Sequence, residues 1–205
     1  MTVPTPVPGE LLQSAFRSLS HPRLSLLVES APLPDVPSLY GVYAVSHTWF
    51  RLGLDAPSGE LPLYVGKHEA RDQGHSLESH FRAGRTAHST LRRSFAALLR
   101  EELVLRGIPR DPSAPDRPSH YGMSPEHDAK LDAWMRDHLE ITVWEKPREC
   151  SELGAVEAAV ITRWTPPLCL KPGTTTWRPM LTRARNRMIS DVREWAETRG
   201  LPIKP

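Results

Sequence analysis

The sequence predicts a small α/β (α+β) domain: a three-stranded sheet, mixed or antiparallel, flanked by helices. Three observations carry that reading. Short apolar runs at residues 39–45, 61–65 and 140–144 have the length and composition of strands. Residues 9–19, 76–83, 89–106, 124–139, 151–164 and 180–196 repeat their apolar side chains at helical spacing. With 205 residues, 39% hydrophobic and 24% charged, the chain can bury a substantial core as one domain.

The elements follow in order. Gly9 to Leu19 carries apolar residues at 11, 12, 15, 16 and 19, a helical stripe. Leu24 to Val28 is too short to assign. Leu39 to Val45 alternates Leu39, Gly41, Tyr43 and Val45 with Tyr40, Val42 and Ala44; both sets are largely apolar, so the strand is expected to be covered on both sides. Residues 47–60, with Gly, Pro, Ser and Asp, read as a loop, and antiparallel pairing with Leu61 to Val65 is the simplest connection. Ser89 to Arg106 sets Leu91, Phe95, Leu98, Leu99 and Leu103 opposite Arg92, Arg93 and Arg100. Residues 107–124, with four prolines and little apolar content, read as a surface insertion. Ser124-Pro125-Glu126 opens the next helix with a serine cap and proline at its first position. Leu131, Trp134, Met135 and Leu139 are its inward residues. The expected organisation is a helical, proline-rich extension over 1–37, a central domain over 38–170, and a basic amphipathic helix over 171–205 packing on that domain.

Composition narrows the functional classes. The net charge of +2 is too mild to announce nucleic acid by itself, so distribution matters more. Gly66 to Arg100 holds seven Lys and Arg against three acids, plus four histidines, and arginines recur at 178, 183, 185, 187 and 193. Those of the last helix read equally as a nucleic-acid surface or as solvated side chains. Cys150 and Cys169 make neither a disulfide framework nor a CxxC site, and the histidines at 68, 75, 80 and 88 lack a zinc-site spacing. There is no signal-peptide pattern and no long apolar run. A cytoplasmic protein, monomeric by default and with no membrane partner, is the expectation.

Alone, a tyrosine in a half-buried strand is ordinary packing. The ordered set of motifs is more specific. Gly41-Val42-Tyr43 and Tyr64-Val65-Gly66 on consecutive strands, then a basic helical region, then Glu157 on a helix after the third strand, resemble the GIY-YIG nuclease superfamily. His80-Phe81, His88 through Phe95, and the turn Trp164-Thr165-Pro166-Pro167-Leu168 continue the resemblance, which spans roughly residues 38–170. It implies a metal-dependent endonuclease acting on DNA, with one Mg²⁺ or Mn²⁺ ion on Glu157. Tyr43 would be general base or water positioner and Tyr64 its support. Lys67 or Arg71 would supply a cation to the phosphate and lower a phenol's pKa, and His80 would lie near the phosphate. Arg82, Arg85, His88, Arg92 and Arg93 would contact nucleic acid, with Arg85 in its loop the best placed and Arg92 and Arg93 also readable as a solvated helix face.

The sequence departs from the family pattern twice. Ser76 stands where the family carries an arginine, leaving Arg71 or His75 to replace it, and Cys169 stands where it usually carries an asparagine. Two alternatives therefore accompany the nuclease reading: a nucleic-acid-binding domain that kept the scaffold without cleavage, and an interaction protein whose tyrosines are only core.

Overall fold

The computed structural model describes residues 7–21, 24–25, 36–57, 59–69, 80–81, 84–113, 117–170 and 175–202. Its centre is β2 (Ser38–Tyr43), paired antiparallel with β3 (Tyr64–His68) on one side and β4 (Glu140–Glu145) on the other. The short run at 24–28 contributes a two-residue strand, β1 (Leu24–Ser25), against the outer side of β4. The order is β1-β4-β2-β3, so β3 is an edge strand, and every pairing is antiparallel.

Register decides which side chains share a face. Val42 lies opposite Tyr64, Tyr40 opposite Gly66, and Leu39 opposite Lys67. With a side-chain period of two, Tyr40, Val42 and Tyr64 project from one face, and Leu39, Gly41, Tyr43 and Val65 from the other. The second face packs Leu39, Val65 and Trp144 against Ala15 and Leu19 of α1 (Gly9–Ser20) and Val156 and Val160 of α5 (Leu153–Trp164). The first packs Tyr40, Val42 and Ile141 against α3 (Thr90–Leu98), α4 (Pro125–His138) and α6 (Arg178–Glu197). The N-terminal helix is thus part of a core layer rather than an appendage. Fully buried Leu19 and Leu39 each contribute on the order of 1.5–3 kcal/mol by leaving water.

Helix starts follow their caps. Ser89 Oγ accepts from Arg92 N at the start of α3, and Ser124 Oγ from His127 N at the start of α4, where Pro125 takes the first position. Three expectations are corrected. The stretch at 47–60 is not all loop: α2 (Ser46–Arg51) buries Thr48 and Trp49. The helix beginning near Ser89 ends at Leu98, and the chain continues in turns to Val104, whose φ of 54° is left-handed. The proline-rich segment at 107–124 is anchored rather than superficial. Ile108 bridges Gly122, Tyr121 and Met123 are buried in the core, and Tyr121 Oη donates to Arg93 O at 2.6 Å. Of the helix expected at 76–83, only His80 and Phe81 fall within the described residues, and both are helical.

Candidate active site

At the free edge of β3 the layers leave a cavity of about 410 Å³. Tyr64 comes from the strand, Glu157 and Ile161 from α5 on one side of the sheet, Thr90 and Arg185 from α3 and α6 on the other, and Leu168, Cys169 and Leu170 from the turn after α5. That turn is fastened to the edge. Leu168 N donates to Leu63 O at 3.0 Å, and the Cys169 thiol accepts from Val65 N at 3.3 Å and donates to Val65 O at 3.2 Å. The residue standing in for the expected asparagine therefore satisfies both backbone groups of Val65. Burial pushes the thiol up to about 12, so it remains a thiol at neutral pH.

The two tyrosines expected to share a site do not. Tyr43 lies on the α1 face, buried, with Oη donating to Leu19 O at 2.6 Å. Its ring also borders a separate cavity of about 190 Å³ with Trp49 and Glu60. The tyrosine beside Tyr64 is Tyr40, three residues earlier and on the opposite face from Tyr43. The Tyr40 and Tyr64 ring centroids are 6.1 Å apart. Gly66 makes this possible: a Cβ there would lie 2.5 Å from Tyr40 Oη and 2.7 Å from Tyr64 Cε1. Gly41 does the same for Tyr43, since its Cβ would lie 2.8 Å from Tyr43 Cε2.

His80 completes the aromatic group, with its ring 5.9 Å from Tyr40 and 6.2 Å from Tyr64 and its Nδ1 2.6 Å from Ser89 Oγ. Burial is the main cause that lifts both phenols above their ordinary value of 10. For Tyr64 the neighbouring Cys169 and Glu157 add to it, while Tyr40's hydroxyl and the Arg185 guanidinium oppose it. The expected lowering by cations is thus outweighed, and both phenols are protonated donors at neutral pH. The two hydroxyls act on each other, and of the two tyrosines Tyr64 lines the cavity.

Glu157 faces the same cavity from α5, half-buried, and makes no hydrogen bond or ion pair among the described residues. Burial raises its carboxyl above 4.5, Lys67 pulls it back and Glu69 adds to the rise. Lys67 itself pairs with Glu69 at 2.5 Å, and its Nζ lies near Gly154, one turn before Glu157. No group of three His, Cys, Asp or Glu side chains stands together among the described residues. A lone, unpartnered carboxylate beside open volume fits a hard divalent ion that keeps most of its water, such as Mg²⁺ or Mn²⁺.

The expected nucleic-acid contacts divide. Arg92 is corrected: its side chain has no solvent exposure, and its Nη2 lies 2.9 Å from Asp128 Oδ1 and 2.5 Å from Asp132 Oδ1 as ion pairs. Its Nε donates to Thr86 Oγ1. Residues four apart on α4 present those two acids, so Arg92 is the closing charge of a buried cluster. Arg85 and His88 are exposed, and Arg93 is half-buried with Nη1 on Ala87 O at 2.8 Å. Partial burial and the nearby Arg110, Arg85 and Arg93 hold the His88 imidazole below its usual 6.5. Arg93 in turn feels Arg185 and Arg110, so a basic surface runs from Arg85 toward the cavity. Arg71 and Arg82 lie outside the described residues.

Sequence reasoning missed Tyr40 and Arg110 and did not single out Arg185. For Tyr40 a signal existed: strict alternation from Tyr43 already puts the two on opposite faces.

Comparison with protein families matches residues 56–187, well over half of the chain, to the family described as GIY-YIG catalytic domain. The span contains Tyr64, Lys67, His80, Glu157, Cys169 and Arg185, and begins after Tyr40 and Tyr43. No curated protein and no solved structure matches the chain. The family match covers more than half of the chain and the antiparallel sheet with its flanking helices is consistent with it, so the chain belongs to the GIY-YIG catalytic-domain family.

Proposed function

We propose that the chain is a metal-dependent endonuclease that hydrolyses DNA phosphodiester bonds in the cavity at the edge of β3. The observation that carries this reading is the meeting of an unpartnered, half-buried carboxylate, Glu157, with the proton-donating phenol of Tyr64 in one open pocket. Buried polar groups left unmatched by the protein are where a substrate or ion finds its partners.

Hydrolysis joins a water oxygen to phosphorus and breaks one phosphorus–oxygen ester bond; the departing oxygen takes a proton. A divalent ion held by Glu157 would neutralise charge on the reacting phosphate and acidify water. The chain's own groups do the rest. Tyr64, which lines the cavity and stays protonated at neutral pH, donates to a phosphate oxygen or orients the attacking water. His80, whose ring lies 5.9 Å from Tyr40 and 6.2 Å from Tyr64, would relay a proton through them. Lys67 tempers the negative field around Glu157. The basic surface from Arg85 through Arg93 holds the DNA backbone. No described helix is long and apolar enough to cross a membrane.

Plasmid nicking with Mg²⁺ or Mn²⁺ tests this, with wild type beside Glu157→Gln. Nicking by the wild type, reduced at least about 10³-fold in the variant, is expected, since the whole metal contribution is removed. Salt-sensitive DNA binding with no nicking under either metal would instead identify a binding domain on the same scaffold.

A further inference from the structure

We propose that Arg185, on α6, is the guanidinium that contacts the scissile phosphate, across the cavity from Glu157; this rests on the nuclease reading above. The side chain reaches the cavity from the layer opposite α5. It is fixed by one nitrogen: Nη2 donates to Thr90 O at 3.2 Å and to Ser94 Oγ at 2.6 Å. Its Nε is buried and has no acceptor among the described residues. A buried donor left without an acceptor is costly, and an incoming anion removes the cost.

Charge balance points the same way. Arg51, Arg92 and Arg100 each face a carboxylate, at Glu102, Asp128 and Asp191 respectively. Arg185 faces none among the described residues, and is the inner end of the basic surface formed with Arg93 and Arg110. Tyr64 lines the same cavity and feels both charges, its ionisation opposed by Glu157 and favoured by Arg185. A carboxylate suited to a cation on one wall and an unmatched guanidinium on the other leave space for a phosphate between them. Arginine suits this place because its planar fork can give a phosphate two parallel hydrogen bonds, which lysine cannot.

Three variants test the assignment: Arg185→Gln, Arg185→Ala and Arg185→Lys, each checked first for a cooperative melt. Arg185→Gln is expected to lower the nicking kcat by about 10²–10³-fold with a smaller change in KM. Free guanidinium ion at millimolar concentration is expected to restore part of the activity of Arg185→Ala, which a purely structural link to Thr90 and Ser94 would not permit. In EDTA, with a labelled DNA duplex, Arg185→Gln should reduce the slope of log affinity against log salt by about one. A folded Arg185→Ala that nicks within about threefold of wild type, with an unchanged salt slope, overturns the proposal. Should Arg185→Ala and Arg185→Gln fail to fold, Arg185→Lys decides: nicking at least about tenfold lower at unchanged salt slope supports the fork, and wild-type nicking overturns it. Should the wild type not nick, the nuclease reading falls, and the salt slope alone keeps or removes the phosphate contact.

Discussion

Two polar groups, one around Arg92 of α3 and one in the cavity that Thr90 of the same helix lines, are built on opposite principles. Around Arg92, a guanidinium with no solvent exposure is enclosed by Asp128, Asp132 and Thr86. In the cavity, Tyr64, Glu157 and Arg185 are partly or largely buried, yet among the described residues the carboxylate makes no ion pair and the guanidinium faces no acid. Each charge in the first group answers another within the chain. In the second, the charges stand apart around a space. The difference teaches where to look: charges paired within the chain mark architecture, and charges left without an opposite partner beside open volume mark a place where something else binds. The two strand tyrosines repeat the lesson, because Tyr43 ends on Leu19 O while Tyr64 lines the cavity.

The sharpest way to break this contrast is Arg92→Leu. It leaves two buried carboxylates without their cation and is expected to destabilise by about 3–5 kcal/mol in urea denaturation, with no change in the salt slope of DNA binding. An altered salt slope would return Arg92 to the nucleic-acid surface. Next come the tyrosines. Tyr64→Phe removes one hydroxyl from the cavity and should lower nicking by about 10–100-fold, or roughly 1.4–2.7 kcal/mol, at near-normal stability. Tyr43→Phe should do the reverse, leaving nicking unchanged and costing about 1 kcal/mol of stability for the lost bond to Leu19. Equal losses of nicking from both would collapse the distinction between the two faces.

The smallest effect concerns pH. Burial holds the Glu157 carboxyl above 4.5 in the folded chain, so the folded state binds that proton more tightly than the unfolded state. The associated stability is present in full below pH 4.5 and is lost as pH rises through the raised folded value. Glu157→Gln cannot ionise and keeps it. Metal-free Glu157→Gln should therefore melt slightly above wild type at pH 7, with the gap closing toward pH 4. Adding Mn²⁺ should raise the Tm of the wild type only. A variant that melts lower at pH 7 would mean that Glu157 has a cationic partner.

Much of the architecture was legible because it is local. Alternation identified β2, spacing identified α1, α5 and α6, and Ser124-Pro125 announced the start of α4. Errors arose where distant segments decide the outcome. Arg92 looked solvated because the acids that bury it lie 36 and 40 positions later on another helix. Arg185 resembled its neighbours on α6 because only tertiary packing sets one of those arginines against Thr90. The three-letter motif points to Tyr43, although strand periodicity and the Val42–Tyr64 register put Tyr40 beside Tyr64. Motif letters name a strand; register says which of its residues meet.

The turn after α5 has a consequence beyond enclosing a pocket. β3 is the outermost strand, and an outermost strand offers bare amide and carbonyl groups to any other chain that can lie alongside. Leu168 takes up the carbonyl of Leu63, and the Cys169 thiol occupies both groups of Val65. The same few residues that enclose the cavity therefore also occupy edge groups that a neighbouring molecule would need for sheet extension, and so guard the chain against polymerising through this edge.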